Sequence, residues 1–206
     1  MRILLIIVLL LLIWRIAWSY FGIRNIEKPN ILSTTVLSGD VKLLTIAPMI
    51  KATVIVTGDQ NQAITDGFRQ LAWYIFGANR GKKTIAMTAP VSSNKAEMIA
   101  MTSPVGLQKS WEQYRISFAM PSSYTMESLP EPNNTNIIFE QIPKTEYYVW
   151  KFSGWANPSR ANHQLELFQK ALSDQWIQVK ATPILNQYND PLTIPFMRIN
   201  DRRIAK

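Results

Sequence analysis

The sequence predicts an α+β domain in which two pseudo-symmetric strand–helix–strand halves form a distorted antiparallel β-barrel with two outer helices, preceded by an N-terminal transmembrane helix. Three observations carry this. Short β-branched or aromatic runs, bounded by Gly, Pro or Asn, alternate with only two amphipathic helical stretches. A strand runs straight into a helix twice, through Ile55-Val56-Thr57-Gly58 and through Lys151-Phe152-Ser153-Gly154. From Ile3 to Ile23 the chain is apolar apart from Arg15, Ser19 and Gly22.

That first stretch, as a helix rising about 1.5 Å per residue, covers roughly 31 Å, the thickness of a hydrocarbon core. Trp14, Trp18 and Tyr20 are residue types of the headgroup region, and Arg15 can extend its charge toward water. Residues 1–23 are therefore read as a single-pass membrane anchor. The rival is a cleaved signal peptide, with Ile3–Trp14 as its apolar core and Ala17-Trp18-Ser19 as its cleavage site, which would place the domain outside the cytoplasm. Bulky Trp18 and early Arg15 oppose it. Arg2 on one flank and Arg24 with Lys28 on the other leave the sidedness open. Residues 24–35, polar and holding Pro29 and Asn30, read as a linker, and residues 36–206 as the domain.

Within the domain, strands are expected at Val41–Ala47, Ile50–Thr57, Thr84–Val91, Met98–Val105, Tyr114–Ala119, Asn136–Ile142, Tyr147–Ser153, Thr182–Tyr188 and Phe196–Ile199. The first outer helix runs from about Gln60 to Phe76, capped by Asp59 and stopped by Gly77. Ile64, Phe68, Leu71, Ala72 and Ile75 form its buried stripe. The second starts at Asn157-Pro158, a cap followed by proline at the first helical position, with Ala161, Leu165, Phe168 and Leu172 inward. Two halves that close on each other leave a seam, where a pocket is expected.

Composition narrows the chemistry. Apolar residues make up 47% and charged residues 17% of the 206, enough for a packed core and unlike a disordered chain. Without cysteine, disulfides, thiolate metal sites and cysteine nucleophiles are excluded. A single histidine and no Gly-rich phosphate loop leave no nucleophile–base pair, so no catalysis is expected. The net charge is +8; setting aside Arg2, Arg15 and Arg24 leaves 19 basic against 14 acidic side chains. That thin excess suits an anionic small molecule or acidic membrane surface, and lacks the long basic stripe of a nucleic-acid binder.

The sharpest local feature is a tandem heptapeptide, Ile85-Ala86-Met87-Thr88-Ala89-Pro90-Val91 and Ile99-Ala100-Met101-Thr102-Ser103-Pro104-Val105, read as a strand ending at proline, made twice around the polar turn Ser92–Glu97. These repeats, with "FAMPSSY" at 118–124, "LPEPNN" at 129–134, "FSG" at 152–154 and "YNDPLTIPFMRIND" at 188–201, resemble the consecutive blocks of the SOUL (haem-binding protein) family. So does the helix "GFRQLAWYIFGAN" at 67–79; the resemblance spans roughly residues 40–204 and leaves out the N-terminal anchor. Two departures stand out: the family's acidic, aromatic opening strand is replaced by Asp40–Ile46, and a histidine near the first helix is absent.

The resemblance implies a two-repeat distorted barrel and non-catalytic binding of haem or another tetrapyrrole. It implies an apolar surface beside the first helix with basic groups for the propionates. The matching positions are Arg69 and Trp73 on that helix, Arg80, Lys82 and Lys83 in the loop after it, Met87 on the next strand and Met101 in the second repeat.

Other residues weigh less. His163 lies opposite the buried stripe of its helix and is expected to face water. Met87, Met98, Met101, Met120 and Met126 could offer thioethers to iron, but methionine is also an ordinary filler of cores and adaptable pockets. Nothing singles out Tyr74 or Tyr114 as a ligand. Trp73 and Trp111 could stack on a porphyrin face. The expectation is a monomeric, membrane-anchored protein that binds a planar, anionic, apolar ligand mainly through apolar contact, with haem possible and not required for folding. The alternatives are a protein-interaction or structural domain with a vestigial tetrapyrrole site, and a sensor of apolar cations marked by an acidic pocket floor at Glu97 or Glu140.

Overall fold

The computed structural model describes residues 2–21, 26–96, 112–189 and 192–206. In chain order it holds α1 (Arg2–Phe21), β1 (Ile31–Ser38), β2 (Val41–Ile46), β3 (Met49–Thr57), α2 (Gln60–Ile75), β4 (Val91–Lys95), β5 (Gln113–Ala119), β6 (Ile138–Ile142), β7 (Thr145–Phe152), α3 (Pro158–Ser173), β8 (Ile184–Gln187) and β9 (Asn200–Ala205). The strands form one antiparallel sheet in the order β1-β2-β7-β9-β8-β4-β5-β3-β6, strongly curled into a half-barrel. Outward from the central β4–β8 pair run β5, β3 and β6 on one side and β9, β7 and β2 on the other, so the expected internal repeat is present. The barrel does not close: β1 and β6 are the two ends of the sheet.

Period-2 alternation gives the sheet a helix-bearing face and a concave face. On the first, Val54, Ile116 and Phe118 meet Ala63, Leu71 and Ile75 of α2 in a fully buried cluster. Gly67 permits this approach, because a Cβ there would lie 2.5 Å from Cγ1 of Ile116. In the second half Val41, Tyr148 and Ile204 meet Phe168 and Leu172 of α3. Arg202, also on this face, donates two hydrogen bonds to the Ala161 carbonyl and ties β9 to α3. The caps are as expected: Asp59 accepts from the N–H groups of Asn61 and Gln62, and Asn157 from that of Arg160.

Four expectations change. β1 begins at Ile31, inside the stretch read as linker, because Ile31–Ser38 pairs with β2. The strand expected at 84–91 is irregular up to Pro90, and the ladder starts only after that residue, which has no N–H to give it. The polar segment read as a turn is instead β4, paired on both sides. The strand expected at 196–199 is a 3-10 turn, Pro195–Met197, and the pairing belongs to β9. The second heptapeptide, with Glu97, Met98, Met101 and Trp111, lies outside the described residues. Residues 2–21 are helical, yet reckoned on the described residues alone no helix is long and apolar enough to cross a membrane. The fold by itself does not establish the spanning anchor.

Candidate functional site

α2 buries Ala63, Gly67, Leu71, Ala72, Tyr74 and Ile75 and turns a different set of side chains outward. Arg69, Trp73 and Phe76 follow one another at helical spacing on that outer side. Trp73 and Phe76 are each 64% exposed, which is unusual for side chains of this size and leaves a flat apolar surface on the helix. Phe68, expected inside, is also exposed at its edge and packs edge-on against Phe118, with ring centroids 5.4 Å apart. Met87, 37% exposed, sits in the irregular segment that leaves the end of α2, where the Ile85 N–H donates to the Ile75 carbonyl at 2.7 Å.

The basic loop follows directly. Arg80, Lys82 and Lys83 are all exposed. Arg80 pairs with Glu131 at 2.7 Å and Arg69 pairs with Asp66, one turn back on the helix. Asn79, which the motif reading passed over, holds this loop. It is buried and donates to the carbonyls of Tyr74 (2.9 Å) and Lys83 (2.8 Å), while its own carbonyl accepts the Lys83 N–H at 3.0 Å. The "LPEPNN" segment completes the frame: the Tyr74 hydroxyl donates to the Pro130 carbonyl, the Arg80 N–H to the Glu131 carbonyl, and Asn134 to Gln70. Six of the seven residues singled out from the sequence thus belong to α2 or to the segment just after it; Met101 lies outside the described residues.

The other iron-ligand candidates are placed as well. Tyr74 is buried in the core, and that burial, with Tyr124 nearby, pushes its hydroxyl up to about 12. Tyr114 is likewise raised to about 12, by burial and by its short hydrogen bond to Glu112. His163 is exposed on α3 with Glu166 3.9 Å away, facing water as expected. Met120 is buried, and with Met49 and Met126 it lines a cleft of about 650 Å³ near the Pro29 and Pro121 turns. The charged residues of that cleft are Lys28, Glu27 and Glu127, an excess of acid. Among the described residues no cluster of His, Asp or Glu is arranged to hold a metal ion.

The seam between the halves, where a pocket is expected, is lined by polar and charged side chains. On the concave face the central strands present Lys51 and Thr53 (β3), Ser92 (β4), Arg115 and Ser117 (β5), Asn186 (β8), and Asp201 and Arg203 (β9). Fully buried Asp201 accepts from Arg203 (3.0 Å), from Asn186 (2.6 Å) and from the Tyr188 hydroxyl (2.6 Å). Ser92 donates to Asn186 at 2.7 Å, Thr53 lies 3.0 Å from Ser117 and donates to Glu140 at 3.0 Å, and Glu140 also pairs with Arg115. None of the residues singled out from the sequence faces this surface, apart from Glu140.

Comparison with curated proteins gives no match. Among solved structures the fold is similar to the C-terminal domain of EcmrR, at 13% identity and TM-score 0.56 over 80% of this chain and 95% of that one. It is also similar to an uncharacterized conserved protein from Listeria innocua (12% identity, TM-score 0.55, covering 81% and 92%) and to a hydrolase from Listeria innocua (12% identity, TM-score 0.54, covering 83% and 94%). At such identities these show a shared fold alone. The family model described as SOUL heme-binding protein matches residues 26–202, nearly the whole domain with its repeated halves and the α2 surface. The chain belongs to the SOUL heme-binding protein family.

Proposed function

We propose that this protein binds haem or a related tetrapyrrole without catalysis, on the outer face of α2, and that α1 holds it at a membrane. The observation that carries the ligand reading is the exposed pair Trp73 and Phe76, followed within one loop by Arg80, Lys82 and Lys83. A porphyrin buries its apolar plane against the aromatic side chains, and its propionates meet the basic loop. The 650 Å³ cleft is the weaker alternative, because Glu27 and Glu127 outweigh Lys28 there and repel a dianion. Glu140 is already engaged by Arg115 and Thr53, which disfavours a sensor of apolar cations.

Titrating the full chain in detergent with haem and with metal-free protoporphyrin, followed by quenching of tryptophan fluorescence, tests the reading. Saturable binding of both at similar affinity, weakened in Trp73→Ala and Phe76→Ala, supports it. Binding that ignores both substitutions moves the site elsewhere, and absence of saturable binding favours a protein-interaction domain instead.

For the membrane, α1 supplies 20 helical residues, about 30 Å. Leu5, Ile6, Ile7, Leu9, Leu10, Ile13 and Ile16 are each about half exposed, so no part of the domain covers them. A helix face with this many exposed apolar side chains needs a nonaqueous surrounding.

A further inference from the structure

We propose that the concave face of the sheet is a second ligand site, for a small organic anion bearing a carboxylate or phosphate, with the Lys51 ammonium as its charged anchor. The face opens on a cavity of about 390 Å³ lined by Lys51, Ser92, Arg115, Ser117, Tyr147 and Ile184. That is within the usual range of small-molecule sites, roughly 300–1,000 Å³. It lies across the sheet from α2 and shares no residue with the tetrapyrrole surface.

Charge decides the ligand class. Two cations, Lys51 and Arg115, line the cavity against one carboxylate, Glu140, and the Arg203–Asp201 pair lies beside it on the same face. Glu140 pairs with Arg115 and Asp201 pairs with Arg203. Lys51 makes no ion pair or hydrogen bond with the described residues, and its amine is held down to about 8 by burial and then by Arg203, because the nearby Glu140, spent on Arg115 and Thr53, offsets only part of this. Arg115 on a neighbouring strand has further N–H groups to donate, while the Ser92 and Ser117 hydroxyls give their protons to Asn186 and Thr53, and Ile142 and Ile184 give an organic substituent apolar contact. An anion entering the cavity gains the ion pair that the fold withholds from Lys51.

Calorimetric titration of the full chain in detergent at pH 7 with benzoate and with phenyl phosphate tests this, the two probes separating carboxylate from phosphate. Saturable binding of at least one is expected, weakened about 10- to 100-fold in Lys51→Met by loss of the charge-assisted contact and largely retained in Lys51→Arg. Circular dichroism of each variant establishes that it is folded. At pH 9 the same binding takes up a proton, seen as a heat that varies with the buffer. Failure of both probes to bind, or equal affinity in Lys51→Met, overturns the proposal. Haem titration of the same variants keeps the two sites apart: Lys51→Met leaves haem binding intact and Trp73→Ala leaves anion binding intact. Loss of both ligands in either variant would mean a single site and overturn it too.

Discussion

Asn79 grips Lys83 in both directions: its side-chain amide donates to the Lys83 carbonyl at 2.8 Å, and its side-chain carbonyl accepts the Lys83 N–H at 3.0 Å. The same amide reaches back to Tyr74 in the last turn of α2. One buried side chain thus fixes the basic loop to the helix whose outer face carries Trp73 and Phe76. Lys82, inside this loop, adopts a φ of 51°, a left-handed backbone that a lysine takes only when its surroundings impose it. Asn79→Ala removes three hydrogen bonds and leaves buried backbone groups unpaired, at a cost of about 1–3 kcal/mol in urea unfolding. The loosened loop also has more freedom to lose on binding, so affinity for protoporphyrin falls about 3- to 10-fold although no aromatic contact has been touched.

The closeness of α2 to the sheet sets a second prediction. A methyl group at Gly67 would stand 2.5 Å from Cγ1 and 2.8 Å from Cβ of Ile116, and the Cβ cannot swing away because it is fixed to the β5 backbone. Alanine is the better helix former by about 1 kcal/mol, whereas overpacking costs about 1–3 kcal/mol. Steric cost wins. Gly67→Ala is expected to lower stability by about 1–2 kcal/mol in chemical denaturation, and an unchanged or raised midpoint would mean that α2 can slide on β5.

These two residues also show where the sequence is legible. The extent of α2, its Asp59 cap and the strand–helix repeat were all readable, because periodicity and capping act over a few neighbouring positions. The side of closest contact was not. Large Ile64 and Phe68 draw the eye to the edge of the buried face, while the approach to β5 is made through Ala63 and Gly67, which carry little hydrophobic signal. β4 was misread for a related reason: its Ser92 bonds across the sheet to Asn186 instead of burying apolar surface, so it looks like a turn. The concave network was invisible in one dimension. Lys51, Arg115 and Arg203 stand on separate strands far apart in sequence, and only the pairing and curl of the sheet bring them to one face.

The amine of Lys51 makes stability depend on pH with a definite sign. Its pKa is about 8 in the folded protein, depressed by burial and by the charges of Arg203 and Arg115, with Glu140 opposing in part, against 10.5 for an ordinary lysine. Below pH 8 both folded and unfolded chains carry the proton, and the penalty of holding it in the cavity is complete. Between pH 8 and 10.5 the unfolded chain binds more protons than the folded one, so this group's contribution to stability rises with pH. Lys51→Met is therefore expected to be more stable than the wild type at pH 7, on the order of 2 kcal/mol, with the gap narrowing by pH 10. Urea midpoints of the two proteins across that range check the sign, since every other titrating group is common to both. A gap independent of pH would assign the difference to packing.

The last prediction concerns α1 and the choice between an anchor and a cleaved leader. Ser19 would be the final residue of a cleavage site at Ala17-Trp18-Ser19, yet it is buried, and its hydroxyl accepts the Ile194 N–H at 3.0 Å. A residue so engaged by the domain is a poor substrate for a peptidase that needs an extended, accessible chain. The turn it meets carries Leu192 and Phe196, 50% and 75% exposed, at the end of the helix where a bilayer surface would lie. The anchor reading expects mass spectrometry of the membrane fraction to find residues 2–21 retained, and alkaline carbonate to leave the protein in the pellet. Replacing Leu9 and Leu10 together by arginine places two charges near the middle of the helix, at about 2.5–3.5 kcal/mol each, and is expected to move the protein to the supernatant. A wild-type chain already released by carbonate, or one found without residues 2–19, would show that α1 does not span.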